Sequence, residues 1–134
     1  MQNLNFHITP TALLYNMQSG ERAQKIRAYL QKTGVTVIDV LPADYRQPIG
    51  ALAGVPGSER IREPNMGTGF TDEMLIMYQF DDMRMNAFFA FFRQEGLASV
   101  ALKAVVTPTN ASWNSIELHD EIAKEHALMT GQNR

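Results

Sequence analysis

The sequence predicts an α/β (α+β) fold, built from two βαβ repeats that form a four-stranded sheet, with an added C-terminal helix. Three observations carry that expectation. Short apolar or β-branched runs alternate with stretches whose apolar residues recur at helical spacing. The pattern occurs twice, 62 positions apart and without a gap. A final run from about 110 to 129 then has helical spacing of its own.

Thr11-Ala-Leu-Leu-Tyr15 is compact and apolar and reads as a first strand. Ser19 is a candidate N-cap, after which Ala23, Ile26 and Leu30 line one helical face. Arg22, Lys25, Arg27, Gln31 and Lys32 solvate the remainder, and Gly34 stands where a helix would stop. Val35 to Leu41, short and β-branched, is the second strand. Shifted by 62, Leu13, Leu14 and Tyr15 fall on Leu75, Ile76 and Met77, and Ser19 falls on Asp81. Arg22, Ile26, Leu30 and Gly34 fall on Arg84, Phe88, Phe92 and Gly96, and the second strand falls within Leu97 to Val106. The units therefore run over about 11–41 and 73–106, with a connection over 42–72, and the whole chain, 1–134, reads as one domain.

Two architectures fit this order. In the favoured one the units interleave as a ferredoxin-like split βαβ sheet. In the alternative, Gln47 to Ala53 is a crossover helix and all strands run parallel in a doubly wound layer. The second repeat helix is the more apolar, with Met85, Phe88, Phe89 and Phe92 on one face and Ala87 and Phe91 beside it. A sheet covers only one stripe of a helix. The excess points first to intramolecular core and second to a homodimer through Phe88, Phe91 and Phe92 or through a sheet edge.

Composition narrows the function classes. The formal charge is −2, with acids and bases interspersed, so there is no basic footprint for nucleic acid. Tyr15 and Tyr78 are the only strand aromatics that could stack bases. There are no cysteines, hence no disulfide, thiolate nucleophile or sulfur-ligated metal. His119 and His126 would stand about 10 Å apart along a helix, too far to share a metal, on a face that Asp120, Glu121, Lys124 and Glu125 mark as solvated. His7 lies in the N-terminal segment, which lacks a signal-peptide pattern. With no long apolar run, the expectation is a cytoplasmic protein without a metal and without an identifiable cofactor.

Asp44 to Gly54 reads as a short capped helix, with Pro48 in its first turn and Gly54 closing it. The Gly67-Thr-Gly69 pair follows no strand and lacks a Gly-Lys-Ser/Thr ending, so it is a turn rather than a phosphate loop. Leu102 to Trp113, LKAVVTPTNASW, is richer. Pro108 stops the strand, Thr109 or Asn110 can cap the final helix, and Asn114 to Glu117 has capping-box spacing, with Trp113 placed to staple Leu118. Lys103 is the residue these structural roles leave over. The candidate binding site is accordingly Lys103, Thr107, Thr109 and Asn110 around an anion, with Tyr45, Arg46 and Gln47 as the opposite wall.

QPIGALAG (47–54), EML (73–75), LKAVVTPTN (102–110) with Trp113, and the closing Lys124-Glu125-His126 together resemble a bacterial family of small proteins labelled only as a domain of unknown function. The resemblance runs from about Leu13 to His126. It implies that the connection and the strand-to-helix junction are shared features, of folding or of a site. It implies no activity, substrate or catalytic residue. Two function classes stand beside it: a non-enzymatic binding or interaction module, which is preferred, and a small enzyme or sensor for an anionic metabolite at 103–110.

Overall fold

A computed structural model describes residues 9–67 and 69–131; His7 lies outside them. The strands are β1 (Thr11–Tyr15), β2 (Thr36–Asp39), β3 (Met74–Tyr78) and β4 (Leu102–Val105). The helices are α1 (Glu21–Lys32), α2 (Ile49–Ala53), α3 (Asp82–Glu95) and α4 (Ser115–Gly131), with 3-10 turns at Pro42–Asp44 and Asn110–Ser112. The expected α/β class, four-stranded sheet and added C-terminal helix are all present. The final helix begins at Ser115, after the Asn110–Ser112 turn, rather than at 110.

Every residue of β1 and β3 is buried, because both faces of the sheet are covered. Ala12, Leu14, Leu75 and Met77 meet Ile26, Leu30, Phe88 and Phe92 of α1 and α3 on one face. Leu13, Tyr15, Met74, Ile76 and Tyr78 meet Tyr45, Ile49, Leu118 and Ile122 on the other. Phe88 and Phe92 are thus interior residues, and Phe91 stacks on Tyr29 with ring centroids 4.3 Å apart. The expected intramolecular core therefore accounts for Phe88 and Phe92, while Phe91 is half-buried.

The strand order is β2-β1-β3-β4, with β1 parallel to β2, β3 parallel to β4, and β1 antiparallel to β3. This differs from both arrangements drawn from the sequence. In a split sheet the two strands of a βαβ unit are separated by a strand of the other unit, whereas here they are neighbours. Gly34, at φ 86°, and buried Val35 turn the chain sharply after α1, and Thr36 N donates to Pro10 O at 2.9 Å, seating β2 beside β1. The all-parallel order would need a crossover back along the sheet. The 5-residue α2 reaches only about 7.5 Å, less than half of the roughly 17 Å that a five-residue strand spans. The chain instead enters β3 from the end at which β2 left off.

The repeat appears as a pseudo-two-fold axis through the sheet. Leu13 pairs with Ile76 and Leu14 with Leu75, and a shift of 62 exchanges these two pairs. Tyr29 and Phe91, stacked as above, are repeat mates on the axis. Each unit also reaches across. Arg22 Nε donates to Ala98 O at 2.9 Å, its Nη2 to Ser99 O at 3.2 Å, and its Nη1 to Glu73 at 2.9 Å. Its mate Arg84 donates from Nη1 to Thr33 O at 2.8 Å. Arg22 is therefore a clamp between the halves and not the solvating residue its helical position suggests.

The symmetry fails at two places. Asp81 caps α3 by accepting from Arg84 N at 2.8 Å, but α1 has Gly20 as N-cap, at φ 99°, so Ser19 does not cap. Ala12 pairs with Val37, while its mate Met74 pairs with Leu102, an offset of 65 between the edge strands. The segment leading into β4 is thus three residues longer than the one leading into β2, and a gap is needed there after all.

Tyr15 Oη and Ser115 Oγ, both buried, are 2.7 Å apart and tie β1 to α4. Burial pushes the Tyr15 phenol far above its ordinary range, only partly opposed by the Ser115 bond, and burial raises Tyr45 as well. In the unfolded chain tyrosine ionises near pH 10. Stability from these phenols is therefore complete below that value and falls as pH rises toward the raised folded values. In urea titrations, Tyr15→Phe should cost about 1–3 kcal/mol at neutral pH, through the stranded Ser115 hydroxyl. It should also flatten the loss of stability above about pH 10. An unchanged alkaline slope would refute the assignment. In the same assay Arg22→Ala should cost about 1–2 kcal/mol and Arg84→Ala less than about 1 kcal/mol, since Arg22 makes more of these bonds. Equal losses would contradict the asymmetry.

Candidate functional site

The edge strand β4 leaves the interior through Lys103 and Val105, which point toward α3, and through Leu102 and Ala104, which point toward α4. Beside Lys103, the longer segment before β4 stands off from the end of α3 and leaves a cleft of about 370 Å³. Phe89, Phe92, Leu97 and Val100 give it apolar walls; Arg93, Lys103 and Ser99 are its polar groups. α3 presents Phe89, Phe92 and Arg93 on one side because they recur at helical spacing, and Gly96, left-handed at φ 67°, ends the helix immediately after.

Lys103 does not extend to solvent. Its Nζ bends back to donate to Val100 O at 2.6 Å and stands 5.8 Å from the centre of the Phe89 ring. Partial burial lowers its pKa, because part of the water that would solvate the ammonium is displaced. Arg93 has no ion-pair partner among the described residues. The cleft therefore carries two cations, no acid in its lining, and apolar walls.

The other expected site residues are placed elsewhere. Thr107 and Asn110 satisfy each other: Thr107 N donates to Asn110 Oδ1 at 2.9 Å and Asn110 N to Thr107 Oγ1 at 3.0 Å. Asn110 Nδ2 donates to Val105 O at 3.0 Å, so this asparagine shapes the turn. Thr109 is exposed. Tyr45 belongs to the core on the opposite face of the sheet from Lys103, so the two do not form walls of one site. Arg46 pairs with Glu63 at 3.2 Å, and Gln47 makes two 2.8 Å bonds with the backbone of Ile61, fastening the connection.

The two long motifs nevertheless meet. Ile49 N donates to Trp113 O at 2.8 Å, Ser115 N to Tyr45 O at 3.0 Å, and Pro48 bridges Asn114. A Cβ on Gly50 would lie 2.7 Å from Ser58 Oγ and 3.2 Å from Ala111 O, so any larger residue would push Ser58 and the Asn110–Ser112 turn away. The capping box expected at Asn114 and Glu117 is reciprocal, with both bonds at 2.9 Å.

His119 is buried, contrary to its expected solvated face. Its Nε2 lies 2.6 Å from Asp72, its Nδ1 3.0 Å from Asp120, and its ring stacks on Phe70 with centroids 4.0 Å apart. Phe70 in turn stacks on Tyr45 at 4.7 Å, and Gly69 is packed so tightly on Tyr45 that a Cβ would fall 2.2 Å from its ring. Both imidazole nitrogens are engaged by carboxylates and Ser115 is bonded to Tyr15, so this cluster is a pin between the connection and α4 rather than a nucleophile–base pair. A second cleft, of about 420 Å³, lies toward α4 and includes Asp72, Glu73 and His126. Its acids are already committed, Asp72 to His119 and Glu73 to Arg22. Among the described residues no group of three or more histidine or acidic side chains is arranged to hold a metal, and no helix is long and apolar enough to cross a membrane.

Of the residues lining the α3–β4 cleft, Lys103 was named as a site residue from the sequence and Arg93 and Phe89 were not, and His119 was expected on a solvated face. The spacing Ser115, Leu118, His119, Ile122 is that of one helical face and was the available signal for a buried histidine. Aligning β4 on LKAV would have shown the three-residue excess that opens the cleft.

Residues 73–129 match a family model described as a domain of unknown function (DUF3783). The matched stretch runs from the start of β3 into α4, so it includes EML and LKAVVTPTN and excludes QPIGALAG. No curated protein and no solved structure matches the chain.

Proposed function

We propose that the protein is a non-enzymatic binding module whose α3–β4 cleft holds the acid group of an amphiphilic ligand. The observation that carries this reading is the state of Lys103. A partly desolvated ammonium with one carbonyl acceptor and an aromatic ring beside it is under-compensated. A ligand carboxylate would restore what burial removes, with Arg93 as a second donor. The apolar walls would cover the ligand's hydrocarbon part. Ser99 also lines the cleft toward α4, whose acids are already paired, Asp72 with His119 and Glu73 with Arg22, which favours retention of the ligand over turnover.

The test pairs octanoate with octanamide, which lacks the charge, on the wild type and Lys103→Met. Octanoate at a hundredfold its dissociation constant should stabilise the wild type by about 2.7 kcal/mol in thermal or urea unfolding. The amide should do much less, and Lys103→Met should lose the response while remaining folded. The pH dependence has a definite sign. Lys103's folded pKa lies below that of the unfolded chain, so its charged form is penalised at lower pH. That penalty is relieved as pH rises through the depressed value toward the ordinary lysine value near 10.4. The wild type should therefore gain on Lys103→Met across that alkaline interval. Equal stabilisation by acid and amide, or an octanoate response retained in the variant, would sink the reading.

A further inference from the structure

The cleft adjoins a strand edge that is still open. Val106 N donates to Met77 O at 2.9 Å, so the even-numbered residues of β4 turn their peptide groups toward β3. Lys103 and Val105 turn theirs outward. Val105 O accepts from Asn110 Nδ2, which leaves Lys103 N–H, Lys103 C=O and Val105 N–H as outer groups with no strand partner among the described residues. Edge strands are commonly guarded by a projecting lysine. Lys103 does not serve that purpose, because its side chain is folded back over Phe89 onto Val100. The opposite edge is different: Asp39 at the end of β2 is held in a two-pronged pair by Arg27, with both distances 2.9 Å.

The clefts flank this edge on both faces. One lies toward α3 and contains Lys103 and Arg93; the other lies toward α4 and contains Leu102; Ser99 lines both. An added strand sends successive side chains to opposite faces. Both clefts lie at the start of β4, where Ser99 and Val100 precede the strand.

From this juxtaposition we infer that the ligand is the C-terminal end of an extended peptide, added antiparallel to β4 with its terminal carboxylate between Arg93 and Lys103. The inference rests on the carboxylate reading above and specifies its ligand. The charge of the cleft selects an acid, and the apolar walls select an apolar last residue. The outer peptide groups of Lys103 and Val105 select a main chain rather than a free hydrocarbon. The preceding side chain then faces the more polar cleft toward α4. The direction follows from position, since a chain that ends where β4 begins runs against it.

The experiment is fluorescence anisotropy or calorimetry on the full chain with labelled, N-acetylated alanine pentapeptides ending in leucine, valine or phenylalanine. Each is made as the free acid, as the C-terminal amide, and as two free acids N-methylated at one or the other alternate set of backbone nitrogens. Octanoate is the small-amphiphile control. The free acids should bind, and the amides should bind on the order of tenfold or more weakly. One N-methylated set should lose a comparable factor, the other little, and Lys103→Met should lose binding with its circular dichroism unchanged. If octanoate binds but the peptide acids do not, or if both N-methylated sets bind like the parent, strand addition is wrong and the carboxylate-binding reading stands. If neither peptides nor octanoate bind, both readings fail together.

Discussion

The antiparallel pairing of β1 with β3 is the constraint on which the rest of the molecule depends. These two strands are buried at every position and almost wholly apolar, so each must be covered on both faces and paired on both sides. Placing them side by side at the centre meets the pairing requirement for one edge of each, and the edge strands β2 and β4 meet it for the other. The covering requirement then puts α1 and α3 on one face and the connection with α4 on the other. With the centre antiparallel, the two units become related by rotation, and the helices inherit that rotation. Tyr29 and Phe91 stack because they are the same position in two copies, and the same logic sends Arg22 and Arg84 across to the opposite unit.

The candidate site arises where that rotation is broken. In the first unit Gly34 and Val35 lead directly into β2, and Val35 is buried under the sheet. In the second, Leu97 to Ala101 intervene, and only Val100 is buried to the same degree. The guanidinium of Arg27 closes the first unit by reaching Asp39 and Met17 O. Its repeat mate is Phe89, which has no charge to pair and becomes a wall. The insertion and this one exchange turn a closed ion-paired corner into an apolar cleft with a lysine folded into it.

What could be read from the sequence was whatever depends on neighbours along the chain. The repeat, the Asp81 cap, the Gly96 stop and the Asn114–Glu117 capping box are local events, and their residue types declare them. Strand order was not legible, because both units leave the same hydrophobic signature whether they lie side by side or interleave. Lys103 was noticed because a lysine within an apolar strand is locally anomalous. Its partner Arg93 sits in the last turn of a helix, where a cation is ordinary and announces nothing. The assignment of Tyr45 and Gln47 to the same site failed for the opposite reason. Their motif does converge with the residues that follow LKAVVTPTN, but through backbone bonds to Trp113 and Ser115 beneath the sheet, on the face away from Lys103.

The central pairing also sets how the chain can reach this state. Leu13 finds its partner in Ile76, so forming the core of the sheet closes a loop of about 60 residues. Neither βαβ unit can complete its first strand without the other, and β3 is left with one open side until β1 arrives. A chain of this kind gains little from its first local helices and most from one late, long-range encounter, the topology associated with slow two-state folding. The fastening of Gln47 to Ile61 within the connection shortens the effective span that must close. The segment that contributes no strand is then the one that governs the search time.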